Sequence, residues 1–126
     1  NAEAKLTVTY LSIGDFTPPV KGMGWNDADA YCKGLTPPGR LPTAFELQSL
    51  FINSTSATAI DQTNYEMCNT YGWPLYNKCG GGTNWYWTIQ NTTTSQTTHY
   101  IVSMLSGSSK ANLSSDSDPL NTTCIH

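Results

Sequence analysis

The sequence is short of charged side chains, which make up only 12% of its 126 residues, about half the usual share. Six Lys and Arg residues against nine Asp and Glu residues leave a net charge of −3, which argues against nucleic-acid binding. Threonine, serine and asparagine are abundant instead, with 18, 12 and 10 residues. A surface built largely of hydroxyl and amide groups suits an exported protein.

The chain also lacks any apolar run of the ~20 residues that a membrane-spanning helix needs, and it contains no signal peptide. Its length fits one domain with a sizeable core. Fourteen aromatic residues, four of them Trp, argue against disorder. We therefore expect a single folded domain over residues 1–126, with any export signal or membrane anchor upstream of it.

Residues for catalysis are scarce. Apart from the terminal residue, the only histidine is His99, which opens an apolar stretch and is expected to be a strand-edge or surface residue; a nucleophilic triad needs a base beside its nucleophile. Asp27 and Asp29 lie two apart on a predicted helix and so point to different faces. Asp116 and Asp118 lie in a serine-rich stretch that is expected to be flexible and to form no site. The sequence therefore predicts that the protein is not an enzyme.

What the sequence does contain is a pair of short helices between residues 25 and 51. Asn26 or Asp27 can cap the start of the first helix, and Gly34 favours its end. Apolar residues recur at spacings of three and four and so share one face of this helix: Trp25, Ala28, Tyr31, Cys32 and Leu35.

The second helix has a clear start. Thr43 and Glu46 form a capping box, in which each side chain bonds the other residue's backbone N–H. Pro42 biases the residue before it towards an extended conformation, so the helix does not begin earlier. An apolar stripe follows, and the helix is predicted to end near Phe51.

Four strands are predicted from apolar alternation or short apolar runs, at residues 5–10, 84–89, 99–105 and 121–125. The stretches 14–24, 53–62 and 110–119 are predicted to be loops. Between residues 65 and 87 the chain carries seven aromatic residues, a proline and three consecutive glycines. Only the end of that stretch, where Trp85 and Trp87 are expected to share an inward face, is predicted to be regular.

Two motifs in the helical pair carry a resemblance. Residues 25–35 read Trp-x-Asp-Ala-x-Ala-Tyr-Cys-x-Gly-Leu, and residues 39–50 read Gly-Arg-Leu-Pro-Thr-x-x-Glu-Leu-x-x-Leu. They resemble the first two helices of C-type-lectin-like domains, in particular the C-terminal domain of the intimin/invasin family of bacterial adhesins. The resemblance implies an α+β, disulfide-linked fold with two short helices packed on small antiparallel sheets. Similar helices occur in formylglycine-generating enzymes, which are considerably longer.

The resemblance also implies a function. Such a domain is the C-terminal tip of a longer surface protein on the bacterial outer membrane, and it attaches to a host cell-surface or secreted protein or glycoprotein. The alternative is a carbohydrate-binding lectin, in which an exposed Trp or Tyr stacks on a sugar ring of a host glycan.

Four cysteines, an even number on a Ser/Thr-rich chain, favour disulfides in an oxidising compartment. Three pairings are possible, and the resemblance implies Cys32–Cys124, which links the first helix to the last strand and leaves Cys68–Cys79 to close a short loop. Zinc is the competing hypothesis, but no Cys-x2-Cys pair occurs.

Calcium deserves a separate test, because many C-type lectins bind sugar through it. The Glu-Pro-Asn or Gln-Pro-Asp tripeptide of their sites is missing here. The sequence Trp25-Asn26-Asp27 matches their second motif in letters only, since it opens the first helix. We therefore expect a calcium-independent domain without a cofactor.

The candidate binding surface is the irregular stretch between residues 71 and 82. Trp and Tyr dominate binding hot spots, and a disulfide-braced loop loses little entropy on binding. The predicted site residues are Tyr71, Trp73, Tyr76, Asn77 and Lys78. The alternative for Trp73 is that its side chain folds back and caps the core.

Overall fold

Three α-helices and five β-strands form the regular structure of the computed structural model, which describes residues 11–92, 95–112 and 115–126. The strand predicted at residues 5–10 lies outside the described residues. The elements in chain order are β1 (Val20–Met23), α1 (Trp25–Lys33), α2 (Ala44–Ser54), α3 (Glu66–Tyr71), β2 (Trp85–Thr92), β3 (Ser95–Ser103), β4 (Ser109–Asn112) and β5 (Leu120–Thr122).

The strands form one sheet in the order β1-β5-β2-β3-β4. Neighbouring strands are antiparallel except for β2 and β5, which are parallel and pair at Tyr86 and Asn121. The central pair, β2 and β3, overlaps the predicted strands at 84–89 and 99–105. β1 and most of β4 fall in stretches predicted to be loops, because four residues of mixed burial give no alternating pattern.

α1 begins one residue before the earlier of its two predicted starts. Its N-cap is Gly24, and no side chain caps it. The Trp25 N–H instead donates to the backbone carbonyl of Asp116 at 2.7 Å. A distant turn therefore takes the role that the sequence assigned to Asn26 or Asp27. The predicted end holds, since Gly34 is the C-cap.

α2 starts as its capping box predicts. The Glu46 N–H donates to Thr43 Oγ1 at 3.1 Å, and the Thr43 N–H donates to Glu46 Oε1 at 2.8 Å. The Arg40 guanidinium also binds both oxygens of Glu46, at 2.7 and 2.8 Å. The helix runs to Ser54, three residues beyond the predicted end.

The sheet carries an apolar cluster on each face. Tyr86 and Trp87 are adjacent on β2 and therefore point to opposite faces, and each is fully buried in a different cluster. The larger cluster includes the apolar stripe of α2, and the smaller one includes the buried face of α1. Trp85 packs with Trp87 as predicted, but it stays partly exposed, and Lys110 Nζ lies 4.5 Å from its ring centroid.

Two disulfides link these layers, in the pairing that the resemblance implies. Cys32–Cys124 joins α1 to the chain just after β5, with Cα atoms 5.5 Å apart. Cys68–Cys79 joins α3 to the loop that precedes β2, with Cα atoms 5.8 Å apart. Helices packed on a mainly antiparallel sheet, with the first and last described strands side by side, give an α+β architecture of the C-type-lectin-like type.

We expect Glu46→Gln to weaken the fold in a pH-dependent way. The Arg40 guanidinium is the main reason why the pKa of Glu46 lies below its ordinary value of 4.5. Because the pKa of Glu46 is lower in the folded chain than in the unfolded chain, the ion pair stabilises the fold fully at pH values above the unfolded pKa. This stabilisation is lost as the pH falls through the folded pKa. Glutamine keeps the capping box, so the loss at pH 7 should be about 0.5–1 kcal/mol.

Urea unfolding followed by circular dichroism at about pH 7 and pH 3 measures this difference. The control is Asp29→Asn, which breaks the i, i+4 pair between half-buried Asp29 and exposed Lys33 on α1 and should change stability by no more than about 0.5 kcal/mol at either pH. A deficit for Glu46→Gln that is as large at the lower pH as at pH 7 would show that its origin is not the ion pair.

Candidate functional site

The predicted binding residues fall within residues 65–82, which we call the tyrosine segment. It opens with α3, a helix that the sequence did not predict. Six residues are too few to show a helical period, and α3 is instead fixed by the burial of Met67 and Cys68. Gly72 ends it in the left-handed conformation, with φ of 76°, and its N–H donates to the Cys68 carbonyl at 2.8 Å.

The prediction that Trp73 is an exposed anchor is wrong. Only 3% of its surface is accessible. Its ring packs against Phe16 and Tyr86, with centroids 6.2 and 5.4 Å away. The turn at Gly72 directs the chain back over the core, and the Tyr86 hydroxyl donates to the Pro74 carbonyl at 2.8 Å. Trp73 is therefore a core residue, which is the alternative that the sequence left open.

A tight hairpin presents the rest of the segment. Leu75 and Lys78 exchange two backbone hydrogen bonds of 3.0 Å. Asn77 adopts the left-handed conformation, with φ of 57°, which Asn tolerates better than most residues. Gly81 packs against the hairpin so closely that a Cβ there would lie 2.5 Å from the Leu75 carbonyl oxygen. The Cys68–Cys79 disulfide, which closes the shorter of the two disulfide loops, then holds the hairpin to α3.

The structure places Tyr71, Tyr76, Asn77 and Lys78 at the surface. Tyr76 is 61% exposed and Tyr71 is 38% exposed. Tyr65, which the sequence analysis did not select, is 43% exposed, and Lys78 Nζ lies 5.0 Å from its ring centroid. Of the four large hydrophobic side chains that are exposed in the described residues, three thus lie in the tyrosine segment.

A concave site lies at the start of α1, and we call it the histidine cleft. Its volume is about 790 Å³, and it lies between the first turn of α1, strands β2 and β3, and the turn at residues 115–117. Polar side chains dominate its lining, among them Asn26, Asp27, Asn91 and Ser117. No pattern in the sequence predicts a site here.

His99 lines this cleft but is only 2% exposed, so the expectation of a strand-edge or surface histidine is wrong. Its ring stacks on Trp25, with centroids 3.7 Å apart. Nδ1 lies 2.8 Å from Asp116 Oδ2, and Nε2 lies 3.1 Å from Asn91 Nδ2. Each ring nitrogen therefore faces a carboxylate or an amide, not the hydroxyl or thiol that a nucleophilic triad requires.

Asp116 has a positioning role that the serine-rich sequence around it does not predict. Its carbonyl accepts the Trp25 N–H, and its carboxylate holds His99. Gly24 packs so near that a Cβ there would lie 3.0 Å from the same carbonyl oxygen. These contacts join residues that are distant in the chain, and no local pattern reveals them.

Comparison with known families decides the class of protein. The InvE_AD family model, described as an adhesion domain, matches residues 9–125. The chain belongs to the invasin/intimin-type family of adhesion domains. No curated protein matches the chain. Membership of this adhesion family indicates a surface-exposed location and a partner on a host surface, and it is not membership of an enzyme class.

No helix in the described part of the chain is long and apolar enough to cross a membrane.

We expect Trp73→Ala to destabilise this adhesion domain, because truncating a buried Trp removes its apolar burial and leaves a cavity. The free energy of unfolding should fall by about 3–5 kcal/mol. Tyr76→Ala, at an exposed position in the same segment, should change it by less than about 0.5 kcal/mol. Urea unfolding of both variants checks this contrast. A Trp73→Ala domain as stable as the parent would show that the indole is not part of the core.

Proposed function

We propose that this adhesion domain binds a protein receptor, displayed on or secreted by the host cell, through the exposed part of the tyrosine segment. The observation that supports this surface is the concentration there of three exposed tyrosines, Tyr65, Tyr71 and Tyr76. Tyrosine combines a large apolar face with a polar tip and is enriched in binding hot spots. Asn77 and Lys78 add hydrogen-bond donors beside them.

The contacts around the segment support the same proposal, because they hold it in place before a partner arrives. The Tyr76 N–H donates to Asn84 Oδ1 at 2.8 Å, and Lys21 Nζ donates to the Gly80 carbonyl at 3.0 Å. The buried Trp73 and the disulfide to α3 restrain the remaining chain. A surface that is already ordered loses less conformational entropy on binding, so more of the contact energy appears as affinity.

The proposal extends to the whole protein. Residues 1–126 are taken as one domain, at the C-terminal tip of a longer protein on the outer membrane of a Gram-negative bacterium. The family match over nearly the whole chain supports a single domain, and the adhesion role supports display away from the cell. Membrane anchoring then belongs to upstream regions.

Tyr76→Ala is expected to weaken binding of the labelled domain to intact host cells by about 1–3 kcal/mol, the usual hot-spot range. Lys78→Ala should have a smaller effect, because an exposed charge contributes little affinity. The matched control is Phe45→Ala, since Phe45 on α2 is 75% exposed but lies outside the tyrosine segment. Flow cytometry over a concentration series gives the three apparent affinities.

Two treatments of the host cells test the class of partner. Digestion with protease should abolish binding, and digestion with glycosidases should leave it unchanged. Loss of binding after glycosidase treatment alone would favour the lectin alternative. Equal losses for Tyr76→Ala and Phe45→Ala, or no loss for Tyr76→Ala, would place the receptor site elsewhere.

The proposed mode of binding is calcium-independent. Within residues 11–92, 95–112 and 115–126, no three His, Cys, Asp or Glu side chains lie close enough together to hold a metal ion, and calcium prefers six to eight clustered oxygens. Millimolar calcium should therefore change the melting temperature by less than about 1 °C relative to an EDTA control. A rise of several degrees would reveal a calcium site and contradict this part of the proposal.

A further inference from the structure

We propose that the histidine cleft binds a neutral, hydroxyl-rich ligand, such as a hexose or N-acetylhexosamine unit of a glycan. This site goes beyond the receptor surface proposed above and shares no residue with the tyrosine segment. The inference is carried by the shape of the cleft, the chemistry and charge of its lining, and a buried polar network that the receptor surface does not use.

The size of the cleft fits a small ligand. Binding sites for small molecules are concave, with volumes of roughly 300–1,000 Å³, and the histidine cleft measures about 790 Å³. The Trp25 N–H, at the start of α1, donates to the Asp116 carbonyl. This bond joins the helix on one side of the cleft to the 115–117 turn on the other. Both walls are thus fixed to one another before any ligand enters.

The chemistry of the lining matches hydroxyl groups. A sugar hydroxyl both donates and accepts hydrogen bonds. Asn26 provides an amide donor and acceptor, and Asp27 provides a carboxylate acceptor, both at exposed positions. Asn91, whose amide bonds His99, and Ser117, whose hydroxyl contacts that of Ser115, complete the polar lining. Asn26 and Asp27 can pair with neighbouring hydroxyls of one sugar ring, whereas an apolar ligand would desolvate them without a new hydrogen bond.

Charge selects among hydroxyl-rich ligands. Asp27 and Asp116 both line the cleft, and no Lys or Arg does so among the described residues. The Asp116 carboxylate is already paired with His99, whereas Asp27 faces the cleft with no Lys or Arg in the described lining, and its negative charge repels an anion. The cleft should therefore take neutral sugars and discriminate against sialic acids and sugar phosphates.

Three lining residues, Trp25, His99 and Asp116, form a largely buried network. The Trp25 indole is fixed by a 2.8 Å bond from Nε1 to the Thr88 carbonyl and by its stack on His99. Asp116 Oδ2 holds His99, whereas Oδ1 of the same carboxylate is buried without a hydrogen-bond partner in the described residues. The contacts of Trp25 and His99 therefore fix this side of the cleft before a ligand enters.

The test is a two-dimensional NMR titration of the ¹⁵N-labelled domain with N-acetylglucosamine and with galactose at about 20 mM, which populates complexes with low-millimolar Kd. The expected result is a shift of the Trp25 indole N–H and of the backbone signals of residues 26, 27, 115 and 117. The signals of the tyrosine segment should stay in place. N-acetylneuraminic acid at the same concentration should produce a much smaller effect.

Two variants sharpen the test. Asn26→Ala, at an exposed position, should weaken binding of the better sugar about three- to tenfold, the range for one hydrogen bond. Its control is Asn53→Ala, an exposed asparagine on α2 outside both the cleft lining and the tyrosine segment, which should bind like the parent. Asp27→Asn removes one negative charge but keeps an acceptor, so it should narrow the discrimination against N-acetylneuraminic acid.

Three outcomes would overturn the inference. These are the absence of cleft shifts with both neutral sugars, shifts confined to the tyrosine segment, and equal or tighter binding of the acidic sugar. A glycan array probed with the parent and Asn26→Ala then separates a free sugar from a glycan chain as the source of the ligand. Loss of receptor binding by Tyr76→Ala is measured on cells and is independent of all these outcomes.

Discussion

Burial of the Trp73 indole against Phe16 and Tyr86 is the interaction on which the presentation of the tyrosine segment depends. Burial of apolar area is the dominant favourable term in folding, and here it fastens an otherwise short hairpin to the main core. The disulfide at its end restrains the unfolded chain in addition. Because the indole is inside, Tyr71 and Tyr76 on either side of it reach the solvent. Trp73 thus contributes by positioning its neighbours rather than by touching a partner.

The two candidate sites rest on opposite faces of one sheet. The tyrosine segment packs on the cluster that contains Tyr86, and the histidine cleft begins at Trp25, which packs on the cluster that contains Trp87. The end of the chain belongs to both, with Cys124 in one cluster and Ile125 in the other. This shared segment explains why the long disulfide is central to the fold. It also means that exposed substitutions in one site leave the supporting core of the other intact.

The sequence predicts what is encoded locally. The Thr43–Glu46 capping box, the end of α1 at Gly34 and the inward Trp87 follow from neighbouring residues and are confirmed. The disulfide pairing followed from resemblance and is also confirmed. Features fixed by distant contacts were missed: α3, which burial stabilises, the core position of Trp73, and the histidine cleft, whose members come from three separate parts of the chain. A tryptophan among Gly and Pro carries no local sign of the direction in which it points.

The central claim is that the host receptor contacts the exposed tyrosines. The most direct measurement places a photo-crosslinking phenylalanine analogue at position 76 and, as a control, at position 45, and irradiates each labelled domain on intact host cells. The account predicts a protease-sensitive adduct with one host protein from position 76 and none from position 45. An adduct from position 45 with no adduct from position 76, or adducts of equal yield from both positions, would contradict it.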